Sequence, residues 1–222
     1  MPVKFDHYWT VNPRKRDDYE KFIINKFIPG ANRLNMHVVA AWSVMVGAYS
    51  DFILETVSND LDLLEEALRS DKYRKLMSDL QHHIINYKTK VLVTTGKKDA
   101  YSTDIREDTI KFNQMCNVTT ESKQDYDEYT RYVTEEFYPM LEDLGVLVAG
   151  EWEVLIGDGP RLICEGRVND VGSLIKNLQG AQFRKGKKKL KNYISNYESR
   201  ILAFHIRKQK GYKSVSYQIV RG

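Results

Sequence analysis

"AWSVMVG", residues 41–47, and "EWEVLIG", residues 151–157, decide the fold, because they are one stretch met twice. Sliding the chain against itself by 110 residues aligns 19–92 with 129–202 without a gap, so that Trp42 falls on Trp152 and Gly47 on Gly157. The same offset pairs Tyr19 with Tyr129, Phe27 with Phe137, Pro29 with Pro139 and Glu55 with Glu165. Asn59-Asp60 meets Asn169-Asp170, Arg74-Lys75 meets Arg184-Lys185, and Asn86-Tyr87 meets Asn196-Tyr197. The 74 aligned positions hold 21 identities, where composition alone gives roughly 4 or 5, so the chain is a duplication. Upstream the offset falls to 107, which puts "VKFDHYWTV" on "IKFNQMCNV"; the second copy carries three more residues between its first strand and first helix.

A repeat this long is a duplicated domain and not a solenoid unit. Each copy has one order of elements. "VKFDHYWTV" sets Val3, Phe5, His7, Trp9 and Val11 on one face, the period of a strand. Asn12-Pro13 then offers a helix cap and a first-turn proline, with Tyr19, Phe22, Ile23 and Phe27 following at helical spacing. "MHVVAAWSVMVGAYSDFILETV" reads as two strands about a glycine turn, Asn59-Asp60 as a second helix start, and Leu64 to Ile84 as helical. "KTKVLVTT" closes the copy as a strand. The expected fold is α+β: two tandem ferredoxin-like βαββαβ repeats, over 1–93 and 109–204, whose antiparallel sheets pack on each other within the chain as a pseudo-dimer. Residues 94–108 read as a linker and 205–222 as a basic tail. Along the Trp42 strand, strict alternation puts Val38, Ala40, Trp42, Val44 and Val46 on one face, with Val39, Ala41, Ser43 and Met45 on the other.

Composition narrows the function classes. With 42% hydrophobic and 29% charged residues the chain is neither disordered nor fibrous. No apolar run approaches the roughly 20 residues that span a bilayer, which points to a cytoplasmic protein with no membrane partner. Cys116 and Cys164 stand alone, with no metal-ligand spacing around them, so no metal is expected. The net charge of +4 is concentrated in "FRKGKKKLK" (183–191) and "HIRKQKGYK" (205–213). The third strands lack the aromatic signature that stacks bases, which argues against nucleic acid.

Two runs carry a resemblance: "YEKFIINKFIPGANRLNMHVVAAWSVMVG" from Tyr19, and "FILETVSNDLDLLEEALRSDKYRKL" from Phe52. With "YTRYVTEEFYPMLEDLGVLVAGEWEVLIG" in the second copy, they resemble the dimeric α/β-barrel superfamily, most closely its NIPSNAP and antibiotic-biosynthesis-monooxygenase types. The resemblance implies an intrachain dimeric α/β barrel that binds a small apolar or aromatic molecule, with cofactor-independent oxygenation or isomerisation as the expected chemistry. The superfamily also holds haem-binding members and members without activity. The alternatives are therefore a non-catalytic structural or interaction protein, and a haem protein using His82 or His83 on the last helix of the first copy. A further homodimer is compatible with the same fold.

Candidate residues follow from chemistry on apolar strands. Glu55 and Glu165 sit mid-strand in both copies, where a carboxylate needs a partner or a proton-transfer role; pairing with a base such as Arg167 is the structural reading. His7 is the histidine on a strand's apolar face and the second acid–base candidate; its counterpart is Gln114. Trp42 and Trp152 are either core or the walls of a ligand pocket, which Trp9, Ser43, Glu153 and Glu165 complete.

Overall fold

The computed structural model describes residues 1–48, 50–98, 109–119, 122–210 and 215–219, of which 207–210 and 215–219 as backbone alone. Residues 99–108, most of the expected linker, lie outside the described residues. The chain forms two compact units, one of residues 1–44, 48–93 and 203 onward, the other of 45–47 and 94–202.

The first unit opens with β1 (Val3–Val11). Asn12 accepts from the Arg14 N–H and Pro13 starts a short 3-10 turn, as the Asn-Pro pair predicts. Helix α1 (Arg16–Phe22) runs through a π turn (Ile23–Phe27) into α2 (Ile28–Asn32). The wide turn sits one turn before Pro29, which has no N–H for the regular helical bond. The second copy repeats this device ahead of Pro139. Strands β2 (His37–Val46) and β3 (Phe52–Ser58) form the hairpin. The expected single helix is instead two, α3 (Leu61–Arg69) and α4 (Asp71–Gln81). Ser70 breaks it in an extended conformation while its hydroxyl caps Tyr73 N–H, and Asp60 caps Leu63 N–H. Ile84 opens β4 (Ile84–Thr94) rather than ending a helix.

The second unit repeats the plan with β5 (Ile110–Val118), α5 (Lys123–Tyr132), a π turn (Val133–Phe137) and α6 (Tyr138–Asp143). It continues through β6 (Leu147–Ile156), β7 (Leu162–Val168), α7 (Val171–Leu178), α8 (Ala181–Leu190) and the first part of β8 (Ile194–Lys210); from residue 203 β8 belongs to the first unit, and its end pairs with β9 (Val215–Ile219). Each repeat has an antiparallel sheet, ordered β2-β3-β1-β4 in the first and β6-β7-β5-β8 in the second. This is the order a βαββαβ repeat requires.

Strict alternation along β2 fails. A bulge between Val38 and Ala40 shifts the register against β3, and β6 has the same shift between Val148 and Gly150. Val38 and Ala41 therefore both join the helix-side core, while Ala40 and Trp42 turn to the other face. A second bulge puts Asn86 and Tyr87 opposite Trp9, with Asn86 at φ 56° and its twin Asn196 at φ 51°. Asparagine tolerates this left-handed conformation better than most residues, which accounts for its presence in both copies.

Candidate functional site

On the face of the first sheet turned away from its helices, Glu55 lies between two buried donors. Trp42 Nε1 donates to its Oε2 at 2.8 Å and the Lys4 ammonium stands 2.7 Å from its Oε1. The Trp42 ring stacks on Phe204 at 4.1 Å, and Ser43 Oγ donates to the Ala203 carbonyl at 3.3 Å. Lys111 pairs with Glu165 at 3.2 Å in the second unit, so the lysine–glutamate pair is duplicated; the lysine comes from the neighbouring first strand. Trp152 is buried, whereas Glu153 is half-exposed, 3.7 Å from Arg161.

His7 and Trp9 point to the helix side. His7 Nδ1 meets the Tyr87 hydroxyl at 2.8 Å, and burial lowers its pKa to about 3, so the ring is neutral at physiological pH. Its Nε2 is buried without a hydrogen-bond partner among the described residues. Gln114 takes the same place in the second unit and accepts from Tyr197, the twin of Tyr87, at 2.8 Å. Trp9 Nε1 donates to the Tyr19 hydroxyl at 3.0 Å. His83 stacks on Phe22 at 4.8 Å, and the exposed His82 holds the Ser78 carbonyl.

Tyr19 leads to the cavity. A space of about 260 Å³ is lined by Val11, Pro13, Arg16, Tyr19, Glu20, Asp51, Phe52 and His205, all in the first unit. His205 packs against Phe52 at 4.4 Å and lies parallel to Tyr19 at 6.2 Å. It is 7% exposed and its Nε2 has no hydrogen-bond partner among the described residues. Burial first, and then the Arg16 guanidinium, lower its pKa to about 4. The imidazole is thus uncharged at neutral pH and able to accept or donate one hydrogen bond. Of the expected site residues, the structure brings Trp9 to this region through Tyr19 and groups Trp42 and Glu55 on the opposite face of the sheet, while Ser43 stands opposite Phe52 on the helix side.

The equivalent place in the second unit is filled. Glu151, one residue before Trp152 and 1% exposed, occupies the position of Ala41. Lys97 Nζ is 2.6 Å from its Oε1, while its Oε2 accepts from Tyr129 at 3.1 Å and also from Tyr138. Burial weakens the Lys97 charge, but the Glu151 carboxylate and the hydrogen bonds outweigh it, so the Lys97 pKa is raised. Burial pushes Cys116 up to about 12 and Cys164 well above the usual thiol range, so neither is a thiolate nucleophile. Glu151 was legible in one signal only: a carboxylate where the first copy has alanine.

The whole chain has the fold of dimeric α/β-barrel proteins, the superfamily that its sequence resembles. A Fusobacterium nucleatum protein provisionally named a monooxygenase matches 99% of this chain over 95% of its own, at 11% identity and a TM-score of 0.61. An anthrone oxidase-like protein matches 91% over 90%, at 11% identity and 0.60. Chlorite dismutase from Candidatus Nitrospira defluvii matches 90% over 90%, at 10% identity and 0.57. No family model and no curated protein matches the chain by sequence. No helix among the described residues is long and apolar enough to cross a membrane.

Proposed function

We propose that the first unit binds a small hydroxylated aromatic molecule in the Tyr19–Phe52–His205 cavity, with His205 Nε2 accepting a hydrogen bond from the ligand's hydroxyl. The observation that carries this reading is a buried imidazole nitrogen with no partner among the described residues, on a histidine that lines a cavity between two aromatic rings. Such a nitrogen costs about 1–3 kcal/mol unless something bonds it. Phe52 and Tyr19 supply apolar faces for a planar ring. The Arg16 guanidinium at the cavity wall, which disfavours a charged His205, stabilises negative charge developing on the ligand oxygen. Charge developing on that oxygen makes the aromatic ring electron-rich, the activation that a cofactor-independent oxygenase or isomerase needs. Names among the fold neighbours, a provisional monooxygenase and an anthrone oxidase-like protein, agree with that direction.

The probe is 1-naphthol, followed by calorimetry. His205→Leu is expected to weaken 1-naphthol binding roughly tenfold, as the loss of one buried hydrogen bond requires, and to leave naphthalene binding unchanged. Wild-type protein that ignores 1-naphthol, or a variant that binds it equally well, sinks the proposal.

A second reading, an interaction protein, has one specific support: Val46 and Ile156, at twin positions on the two hairpins, are 56% and 63% exposed. It predicts self-association that Ile156→Lys abolishes in sedimentation velocity; a wild-type monomer at high concentration removes it.

A further inference from the structure

We propose that the second unit holds an alkylammonium-binding site, kept closed by the chain's own Lys97. The first-unit cavity shows that the fold leaves space at this position. Tyr129 is the twin of Tyr19, Tyr126 of Arg16, and Thr95 of His205. Where the first unit is open, the second has a box around one ammonium. Lys97 Nζ lies 5.0 Å from the Tyr126 ring centre and 5.3 Å from that of Tyr129, within cation–π range. It donates to Glu151 Oε1 at 2.6 Å and to the Tyr126 hydroxyl at 3.1 Å.

The walls are built without the lysine. Glu151 stands on β6, Tyr126 and Tyr129 on α5, and Tyr138 on α6. The Tyr129 and Tyr138 hydroxyls fix one carboxylate oxygen and leave the other for a cation. Lys97 comes instead from the short segment after β4, next to Gly96, which has a φ of 76° and open space where a side chain would stand. Lys97 and Glu151 side chains are 6% and 1% exposed. If the lysine leaves, the carboxylate is a buried charge without a counter-ion, so the box demands another cation. The lysine side chain beyond its Cα is a butylammonium, which defines the ligand class as unbranched primary alkylammonium ions. A tethered lysine acts at an effective concentration on the order of millimolar, so weak free amines do not displace it from wild-type protein. The box consists of second-unit residues alone and is independent of what the first unit binds.

The test is Lys97→Gly with n-butylammonium chloride as the probe, and n-butanol and sodium chloride as matched controls. The variant is expected to gain at least about 3 °C in Tm with saturating n-butylammonium and to bind n-butanol at least tenfold more weakly. Lys97→Gly/Glu151→Gln is expected to lose that preference, and wild type to show no shift. A folded Lys97→Gly protein that does not prefer n-butylammonium overturns the assignment. If the variant does not fold unaided, its refolding yield with n-butylammonium against n-butanol decides: a higher yield supports the site, and equal yields overturn it.

Discussion

His7→Gln is expected to leave stability within about 1 kcal/mol of wild type at pH 7.5 and to raise it by about 2–3 kcal/mol at pH 4.5. The protein already contains the control, because Gln114 bonds Tyr197 where His7 bonds Tyr87. The pH dependence follows from proton counting. Folded His7 titrates near 3 because burial penalises its charge, whereas an unfolded histidine titrates near 6.5. Between these values the unfolded chain binds a proton that the folded chain does not. The stability tied to His7 is therefore complete above about pH 6.5 and is lost as pH falls toward 3. Glutamine does not titrate, so the variant escapes this loss, while carboxylates and His205 contribute equally to both proteins. Urea unfolding at the two pH values is the measurement. Parallel losses in wild type and variant would show that His7 is not a buried neutral ring.

The elements were legible where local chemistry fixes them. Asn12-Pro13 and Asp60 cap helix starts as read, and the identity of Asn86-Tyr87 with Asn196-Tyr197 marks a bulge whose asparagine takes a positive φ and whose tyrosine reaches the first strand. The facing of β2 was not legible. One bulge residue reverses every side chain beyond it, and nothing in "HVVAAW" marks which residue is extra. The break at Ser70 escaped for a related reason: its cap competes with helix continuation at a position where either is sterically open.

The candidate site was legible in part. Glu55 and Glu165 stood out as carboxylates on apolar strands, but their partners Lys4 and Lys111 lie more than fifty residues earlier, across a strand pairing that residue spacing does not encode. The cavity was hidden more deeply. His205 reads as the start of a basic tail, and only the continuation of β8 brings it to Tyr19 and Phe52. Duplication exposed what single-copy reading cannot: Ala41 against Glu151, and Arg16 against Tyr126, mark where one plan received two different interiors.

Glu55→Gln is expected to destabilise the protein by about 3 kcal/mol, near the low end for breaking a buried ion pair. The Lys4 side chain is 5% exposed, and a neutral Glu55 removes the carboxylate that stands 2.7 Å from its ammonium, against 3.8 Å for Asp6. The amide oxygen still accepts the Trp42 N–H, which limits the loss to the charge. Replacing both partners, Lys4→Met with Glu55→Leu, should recover most of it, because desolvation of the two ions is removed together. Glu165→Gln should repeat the loss through Lys111, while Glu153→Gln should stay within about 0.5 kcal/mol, since its ion pair is exposed and 3.7 Å long. Chemical denaturation of the variants separates two roles for the duplicated carboxylates. A loss near 3 kcal/mol with unchanged 1-naphthol affinity makes Glu55 a structural anchor for Trp42 and Lys4. A neutral or stabilising Glu55→Gln would instead mean that the carboxylate is kept at the expense of stability, the behaviour expected of an acid–base group.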